Sequence, residues 1–298
     1  MRVAFRTDAS DRIGTGHLMR CLTLADALRA AGARTRFVCR PLPQGLGELV
    51  ASRGHELVVL PAGTTVAGHG GRLPPGEAAP AHAAWLDATQ GDDAEATLAV
   101  LAGGGDRDWL VVDHYALDAR WESRLRARAN RILAIDDLAD RRHDCDALLD
   151  QNFYADMHGR YRGLVPDGCA MLLGPRYALL RPEFAAARAV LGIRGEAVRR
   201  VLVFFGGVDA RNLTGAALDA LDAIGTDLEV DVVIGATHPQ HDAIVARCAA
   251  RARTTCHVQA SNMAELIAAA DIGVGAAGVA TWERCALGLP ALAVAVAR

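Results

Sequence analysis

The sequence has 298 residues, of which 51% are hydrophobic and 22% are charged, and its formal net charge is −3 at pH 7. This composition is typical of a folded chain long enough for two domains with their own cores, and it excludes a disordered protein. Basic residues are dispersed, which argues against nucleic acid as a main partner, although backbone amides can bind a charged small molecule.

The chain carries no run of about 18 apolar residues, and its first residues lack the apolar core of a signal peptide. We therefore expect no membrane span. The seven cysteines show no C-x-x-C spacing, which argues against a zinc or redox motif. We expect reduced thiols, a cytoplasmic location, and neither a metal nor a cofactor. The oligomeric state is left open.

Short apolar runs alternate with helical patterns in the first half of the chain. Predicted strands lie at residues 3–5, 35–39, 57–60, 110–112 and 132–135, and predicted helices at 17–30, 92–102 and 119–129. Residues 61–80 are rich in Gly, Pro and Ala and are predicted to form a loop. Such alternation indicates βαβ units on a parallel sheet.

The alternation begins again near residue 200, after a linker at 174–182 and one helix that ends near Gly192. Predicted strands lie at 201–205, 230–234, 257–259 and 272–274, and predicted helices at 212–224, 240–252 and 262–270. We predict an α/β fold with two Rossmann-like domains, residues 1–182 and 183–298, and a ligand cleft between them. A last apolar run at 291–296 has no covering helix after it, so we expect the second domain to be incomplete.

The tetrapeptide Gly14-Thr15-Gly16-His17 stands where the first strand feeds the first helix. Glycines there let backbone N–H groups approach an anion or a sugar, and a neutral histidine can accept a proton from water. The motif lacks the Gly-Lys-Ser/Thr of a Walker loop and the third glycine of a dinucleotide fingerprint. On spacing alone, a tight turn with a surface histidine explains it as well as a catalytic loop does.

Two further strand ends carry polar residues. Asp113-His114-Tyr115 follows one predicted strand, and Asp136-Asp137 follows the next. The carboxyl ends of strands line the cleft in open α/β sheets, so these residues are candidates for a site. Loop capping by the aspartates, with a half-buried tyrosine, is the alternative and is somewhat favoured without further support.

Two glycine-rich turns precede helices in the second half. Gly206-Gly207 is followed by Asp209 and Asn212, and Gly275-Ala276-Ala277-Gly278 is followed by Glu283. Such turns suit a diphosphate, and a glutamate can accept hydrogen bonds from a ribose diol. Helix capping, and a favourable charge near a helix start, are the alternatives. Two turns of this type in one half favour nucleotide binding.

A set of short motifs distributed over essentially the whole chain resembles one known family. These motifs are Asp8-Ala9-Ser10, Ile13-Gly14-Thr15-Gly16-His17, Met19-Arg20-Cys21-Leu22, Val112-Asp113-His114-Tyr115, Asp136-Asp137-Leu138-Ala139, Leu149-Asp150-Gln151-Asn152, residues 173–181, Gly206-Gly207 with Asn212-Leu213-Thr214, and Thr281-Trp282-Glu283-Arg284. By them the chain is similar to the UDP-2,4-diacetamido-2,4,6-trideoxy-β-L-altropyranose hydrolases of pseudaminic acid biosynthesis.

This resemblance implies a glycosyltransferase-B type fold and a metal-independent hydrolysis that releases UDP and the free sugar with inversion. It makes His17 the catalytic histidine and Tyr115 the active-site tyrosine. The UDP-sugar is the implied small-molecule partner, with UDP on the second domain and Glu283 on its ribose. The other residues that we expect to bind substrate are Asp8, Gly14, Thr15, Gly16, Gly206, Gly207, Asn212, Gly275, Gly278 and Thr281.

The chain departs from the family's pattern in two places. Ala277-Gly278-Val279-Ala280 replaces a Gly-Gly-Ser-Thr-like stretch, which removes one or two hydroxyl donors to phosphate. Family members also continue beyond the last predicted strand, so a fragment is expected. A glycosyltransferase of the same fold and a non-catalytic nucleotide-sugar binding protein are the two alternatives.

Overall fold

The computed structural model describes residues 1–10, 12–62, 79–103, 107–225 and 227–295. The chain divides into two compact units, Met1–Leu179 and Leu180–Arg298. The sequence places the division between residues 182 and 183, and the roles of the two halves stay a prediction. No helix of the described part is long and apolar enough to cross a membrane.

Unit 1 alternates strands with helices from its first residues. In chain order its elements are β1 (Arg2–Thr7), α1 (Gly16–Ala30), β2 (Arg34–Cys39), α2 (Leu46–Ser52), β3 (Glu56–Val59), α3 (Gln90–Ala102), β4 (Arg107–Asp113), α4 (Ala119–Leu125), β5 (Ala129–Ile135), β6 (Ala147–Asp150), α5 (Met157–Arg160) and β7 (Ala170–Leu173).

The strands of unit 1 form one parallel sheet in the order β3-β2-β1-β4-β5-β6-β7. Val3 of β1 pairs with Thr35 of β2 on one side and with Trp109 of β4 on the other. From β1 the chain winds toward β3, and from β4 it winds the opposite way toward β7. In open α/β sheets, ligands bind outside the carboxyl ends of the strands at such a switch point. In unit 1 this point lies between β1 and β4.

Alternating side chains of β1 enter two cores, one on each face of the sheet. Val3 and Phe5 pack into the core that contains Leu22 of α1. Ala4 faces the other core, together with Trp121 of α4. All five side chains are at most 1% exposed. Because both faces are covered, β1 is held firmly and its carboxyl end is a rigid base for the loop that follows.

Unit 2 repeats the pattern with a smaller sheet. Its elements are α6 (Pro182–Val190), β8 (Arg200–Phe204), α7 (Leu213–Ile224), β9 (Glu229–Ile234), α8 (His241–Ala250), β10 (Thr254–Val258), α9 (Met263–Ala269), β11 (Ile272–Ala276), α10 (Val279–Ala286) and β12 (Ala291–Val294). The parallel strands lie in the order β10-β9-β8-β11-β12, so the switch point falls between β8 and β11.

Close backbone approaches at the carboxyl ends of the unit 2 strands require glycine. A Cβ atom on Gly275 would lie 2.1 Å from the carbonyl oxygen of Phe204, and one on Gly235 would lie 2.1 Å from that of Gly207. Real Cβ atoms do not come this close to another atom, so larger residues would force the strand ends apart. The turns that follow β8 and β11 therefore begin at neighbouring strand ends that lie close together.

The predicted α/β fold with two parallel sheets is confirmed. The helix predicted at 119–129 ends at Leu125, because β5 already begins at Ala129. The short strands β6 and β7 were not predicted, since four residues give too little periodicity. Most of the loop predicted at 61–80 lies outside the described residues. The predicted run at 291–296 forms a strand over Ala291–Val294, and residue 296 lies outside the described part.

A buried histidine in unit 1 carries an ionic interaction that should make stability depend on pH. His143 Nδ1 lies 2.8 Å from Glu122 Oε1, and its Nε2 lies 3.8 Å from Asp136 Oδ2. Burial lowers the pKa of His143, but the carboxylates of Glu122 and Asp136 raise it to about 9. In the unfolded chain the pKa of a histidine is about 6.5. The folded state therefore binds the proton more tightly.

The stabilisation from His143 is expected to be complete below pH about 6.5 and to be lost as the pH rises through about 9, by up to about 3 kcal/mol. Urea unfolding followed by tryptophan fluorescence measures it, because Trp85, Trp109 and Trp121 all lie in unit 1. His143→Gln should flatten the loss of stability between pH 6.5 and 9, whereas His241→Gln, at a partly exposed position on α8 of unit 2, should not. An unchanged slope in His143→Gln contradicts the assignment.

Candidate active site

The loop after β1 places His17 at the start of α1. The Gly14 N–H donates a hydrogen bond to the carbonyl oxygen of Ser10 (2.7 Å), and Gly14 has φ +77°, a conformation that favours glycine. The Thr15 carbonyl accepts from the Met19 N–H (3.0 Å) and so begins the helix. His17 is consequently fixed in the first turn of α1, at the carboxyl edge of the sheet, with 7% of its surface exposed.

Asp113, the last residue of β4, orients the imidazole of His17. His17 Nδ1 lies 2.5 Å from Asp113 Oδ1. Burial alone would raise the pKa of Asp113, but the Arg20 guanidinium, followed by His17, holds it well below its usual range. An ionised carboxylate only accepts hydrogen bonds, so Nδ1 donates and a neutral His17 keeps its lone pair on Nε2. Within the described ranges, no residue hydrogen-bonds Nε2.

Arg20 forms ion pairs with two carboxylates beside His17, those of Asp113 and Asp137. Its Nε and Nη2 atoms each lie 2.6 Å from one oxygen of Asp113, and its Nη1 lies 3.1 Å from Asp137 Oδ2. A planar guanidinium matches a carboxylate in this two-bond geometry. Asp113 was among the candidates at the strand ends, whereas no role was predicted for Arg20. The spacing of His17 and Arg20, three apart on one helix, is the signal that would have placed them on one face.

Tyr115 packs directly against His17. The two rings meet edge to face, with centroids 4.4 Å apart and an interplanar angle of 78°. The Tyr115 hydroxyl donates to Asp137 Oδ1. Burial, and then the Asp137 carboxylate, raise the pKa of Tyr115 well above its usual range, so the phenol keeps its proton. His82 and Trp85 lie beyond it, at centroid distances of 5.5 and 5.7 Å from the Tyr115 ring.

Asp8 lies deeper than the other predicted residues of unit 1. Its carboxylate is 3% exposed and accepts from Arg6 Nη1 (2.6 Å) and from the Arg40 N–H (2.7 Å), while His114 Nε2 lies 3.3 Å away. Burial opposes ionisation, but Arg6 and then His114 hold the pKa of Asp8 well below its usual range. The carboxylate thus faces protein groups, and its contact with substrate stays a prediction.

The predicted backbone contacts in the loop before α1 have room for a ligand. A Cβ atom built on Gly14 or on Gly16 would meet no atom within 4 Å. The Thr15 side chain makes no capping hydrogen bond to the helix. These three positions therefore present open backbone beside His17, and their binding role stays a prediction.

The turn after β8 is capped by side chains of the protein. Asp209 accepts hydrogen bonds from the backbone N–H groups of Leu213 (2.9 Å) and Thr214 (2.8 Å). Asn212 accepts from the Gly215 N–H (3.2 Å). These contacts correspond to the capping alternative, because a carboxylate already occupies the start of α7. Phosphate binding at this turn, by Gly206, Gly207 and Asn212, stays a prediction.

The turn after β11 leaves the start of α10 without a carboxylate. Gly278 has φ +141°, its N–H donates to Thr281 Oγ1 (3.2 Å), and its carbonyl accepts from the Thr281 N–H (2.9 Å). A Cβ atom on Gly278 would meet nothing within 4 Å. In the described part of the chain, no Asp or Glu side chain caps this helix. A helix start of this kind attracts an anion.

Glu283 lies on the second turn of α10, beside this open helix start. Its side chain is 14% exposed, and its Oε1 lies 3.4 Å from Arg181 Nη2. Burial raises the pKa of Glu283, and Arg181 opposes that rise. A partly buried carboxylate with one long ion pair keeps lone pairs for a further donor. Thr281, Gly275, Gly278 and Glu283 thus lie on one strand–turn–helix segment.

In each unit the candidate residues lie at the switch point of the sheet. His17 follows β1, Asp113 is the last residue of β4, and the two glycine turns follow β8 and β11. Among the described residues, no group of three or more His, Cys, Asp or Glu side chains is placed to hold a metal ion.

Two curated proteins are similar in sequence to this chain. One is the UDP-2,4-diacetamido-2,4,6-trideoxy-beta-L-altropyranose hydrolase of Campylobacter jejuni, 27% identical over 215 residues, which are 72% of this chain and 63% of the relative. The other is the spore coat polysaccharide biosynthesis protein SpsG of Bacillus subtilis, 30% identical over 149 residues, which are 49% of this chain and 43% of the relative. The chain spans less than two thirds of either relative.

The predicted resemblance to the hydrolase family is confirmed by the first of these relatives. No protein-family model matches the chain.

Solved structures confirm the predicted glycosyltransferase-B type fold. UGT89C1 of Arabidopsis thaliana, complexed with UDP-L-rhamnose, has a TM-score of 0.59 at 13% identity and covers 98% of this chain and 78% of that chain. A glycosyltransferase from Rickettsia africae has a TM-score of 0.56 at 10% identity, with the same coverage. MurG of Acinetobacter baumannii has a TM-score of 0.54 at 16% identity and covers 99% of this chain and 78% of that chain. At these identities the likeness concerns the fold alone.

Proposed function

We propose that this chain carries the catalytic groups of an enzyme that hydrolyses a UDP-linked 2,4-diacetamido-2,4,6-trideoxy sugar at its anomeric carbon. The products are UDP and the free sugar with inverted configuration. The curated relative that is named as such a hydrolase supports the substrate. The observation that carries the proposal is the 2.5 Å contact between His17 Nδ1 and Asp113 Oδ1, which leaves His17 Nε2 available to a water.

In this proposal His17 is the general base. Its Nε2 takes a proton from water as the water oxygen forms a bond to the anomeric carbon, on the face opposite UDP. The bond from that carbon to the phosphate oxygen breaks, and its electron pair leaves with UDP. Asp113 holds the imidazole in the required tautomer and stabilises the imidazolium that forms, as a buried carboxylate does beside a catalytic histidine. Such a base contributes about 10²- to 10⁴-fold to the rate.

Tyr115 acts in this scheme through its ring and its oxygen. The ring packs against the edge of His17 and restricts the rotation of the imidazole. Because the hydroxyl proton points to Asp137, the Tyr115 oxygen is left as an acceptor for a sugar N–H group or for the attacking water. The phenol keeps its proton, so this side chain does not compete with His17 for the proton of the water.

The start of α10 would stabilise the departing UDP. The N–H groups of its first turn are not covered by a carboxylate, in contrast to the start of α7. Preorganised N–H donors and the helix dipole stabilise negative charge that develops on a leaving group. With this stabilisation UDP needs no strong general acid, and we assign none.

Glu283 is proposed to accept hydrogen bonds from the ribose hydroxyls of UDP. Glu283→Gln should weaken UDP binding about 5- to 30-fold. A hydrogen bond to a charged group contributes about 1.5–3 kcal/mol and one to a neutral amide about 0.5–1.5 kcal/mol, so the substitution should cost about 1–2 kcal/mol. Isothermal titration with UDP and with 2′-deoxy-UDP measures this. The variant should lose most of the preference for the ribonucleotide. Equal losses for both ligands contradict a contact with the 2′-hydroxyl, and Glu265→Gln on α9 is the matched control.

Proton NMR of the products tests the proposed function directly. Incubation of the protein with UDP-2,4-diacetamido-2,4,6-trideoxy-β-L-altropyranose in buffer should yield UDP and the free sugar, with no added metal or acceptor. In a parallel incubation with an added acceptor, transfer of the sugar to that acceptor without free sugar indicates a glycosyltransferase. An unchanged substrate that nevertheless binds indicates a binding protein. Either of these outcomes contradicts hydrolysis.

A further inference from the structure

Arg284 is a buried cation in unit 2 without a paired carboxylate. The residue lies on α10 and is 4% exposed. Within the described part of unit 2, no Asp or Glu oxygen lies within ion-pair distance of its guanidinium, and its Nε has no hydrogen-bond partner. Four buried arginines of unit 1 differ in this respect, since each of them pairs with an aspartate: Arg6, Arg20, Arg40 and Arg141.

The hydrogen bonds that Arg284 makes go to the two sides of the turn before α10, the last residue of β11 and the first turn of α10. Its Nη2 donates to the carbonyl oxygen of Ala276 (2.9 Å) and to Thr281 Oγ1 (3.2 Å). A Cβ atom on Gly275 would lie 3.2 Å from its Nη1. The guanidinium therefore packs against the glycine-rich turn itself, from the inner side of the unit.

These contacts set the direction of the turn's peptide groups. A trans peptide is planar, so its C=O and N–H point in opposite directions, and none of the described peptides is cis. The Ala276 carbonyl is turned toward the guanidinium, and the N–H of Ala277 accordingly points away from it. Thr281 Oγ1, the second acceptor, also accepts from the Gly278 N–H. Arg284 thus forms hydrogen bonds on both sides of the turn, to Ala276 before it and to Thr281 after it.

An unpaired buried charge is costly for the folded protein. Removing one ion from water costs several kcal/mol, which a nearby carboxylate usually offsets. Burial lowers the pKa of Arg284, and the residue still stays charged at neutral pH because a guanidinium loses its proton only in strong alkali. Glu283 offsets this charge only through its field, without an ion pair, and an anion bound on the other side of the turn would balance it further.

We propose that Arg284 is a positioning residue whose buried positive charge is neutralised by the diphosphate of bound UDP and whose hydrogen bonds aim the N–H groups of the turn at it. This inference rests on the proposed function, because it assumes that UDP binds at this turn. It assigns to Arg284 no contact with the ligand. Its action passes through the turn and through the field of its charge, which the protein interior screens less than water does.

Titration calorimetry with UDP and with uridine separates this role from a purely structural one. Arg284→Met removes the charge and the hydrogen bonds while keeping much of the side-chain volume. We expect the Kd for UDP to rise about 10- to 100-fold, the range of one charge-assisted interaction, and the Kd for uridine to stay within about twofold. Arg253→Met is the matched control for net charge, since Arg253 precedes β10 at the opposite, amino edge of the sheet. It should change neither value.

The thermal melting of the free protein provides a second readout on the same samples. Because methionine relieves an unpaired buried charge, Arg284→Met should melt no lower than wild type. Arg284→Lys keeps the charge but loses the planar fork, so its Kd for UDP should lie between those of wild type and Arg284→Met. If the methionine variant fails to fold, the lysine variant still tests the inference. A Kd for UDP equal to that of wild type in Arg284→Lys would contradict the proposal that the hydrogen bonds of Arg284 orient the turn.

Equal losses of UDP and uridine affinity in Arg284→Met would overturn the inference, because they indicate collapse of the turn rather than loss of a counter-charge. An unchanged Kd for UDP would overturn it as well. A different failure belongs to the proposed function: if the wild-type protein binds neither UDP nor uridine, no nucleotide site exists in unit 2, and the inference fails with it.

Discussion

Replacing His17 with alanine is expected to lower the rate of UDP release by about 10²- to 10⁴-fold and to leave the affinity for UDP within about twofold of wild type. The rate falls because alanine removes the only group that we assign to deprotonate the attacking water. The affinity persists because the residues proposed to hold UDP lie in unit 2, whereas His17 lies in unit 1. A coupled assay for UDP measures the rate, and titration calorimetry measures the affinity.

The matched control is His241→Ala, which removes a partly exposed histidine at the start of α8. It should turn over at the wild-type rate. Near-normal turnover by His17→Ala would rule out the base assignment. A parallel loss of UDP affinity would instead place His17 among the groups that bind the nucleotide.

Asp113→Asn should lower the same rate by about 10²- to 10⁴-fold and also lower the free energy of unfolding by about 3–5 kcal/mol. The rate falls because an amide no longer forces the proton of His17 onto Nδ1. The stability falls because Arg20 is then buried with only Asp137 left as a carboxylate partner. Urea unfolding, followed by the tryptophans of unit 1, gives the second quantity.

The two effects of Asp113→Asn can be separated with a second substitution. In Arg20→Met/Asp113→Asn the unpaired charge is gone, so much of the lost stability should return, while the rate should stay low. Recovery of the rate together with stability would mean that Asp113 matters only for folding. Loss of stability equal to the sum of the two single variants would contradict the pairing of Arg20 with Asp113.

The fold was predictable because the chemistry of burial repeats along the chain. Strands buried on both faces, such as β1 and β8, are continuous apolar runs, and helices with one buried stripe separate them. The strands β6 and β7 escaped prediction because four residues carry no clear period. The end of α4 was missed because the residues from Leu125 to Ala129 contain no glycine or proline that would mark the boundary.

The site was predictable only in part, since its geometry depends on pairings between distant residues. His17 and Tyr115 stand out through motifs, but their contact joins a helix start to the end of β4, 98 positions later. The choice between capping and phosphate binding could not be made from glycines alone. It turns on Asp209, whose carboxylate reaches the N–H groups of α7, and on the lack of such a group at α10.

The most direct test of the central claim is the fate of oxygen from water during the reaction. With UDP-2,4-diacetamido-2,4,6-trideoxy-β-L-altropyranose in water enriched in ¹⁸O, the account predicts that the label enters the sugar at its anomeric carbon and that UDP stays unlabelled. The first sugar anomer seen by NMR should be the inverted one. Label in the β-phosphate of UDP, or a first anomer with retained configuration, would contradict attack by a water that His17 deprotonates.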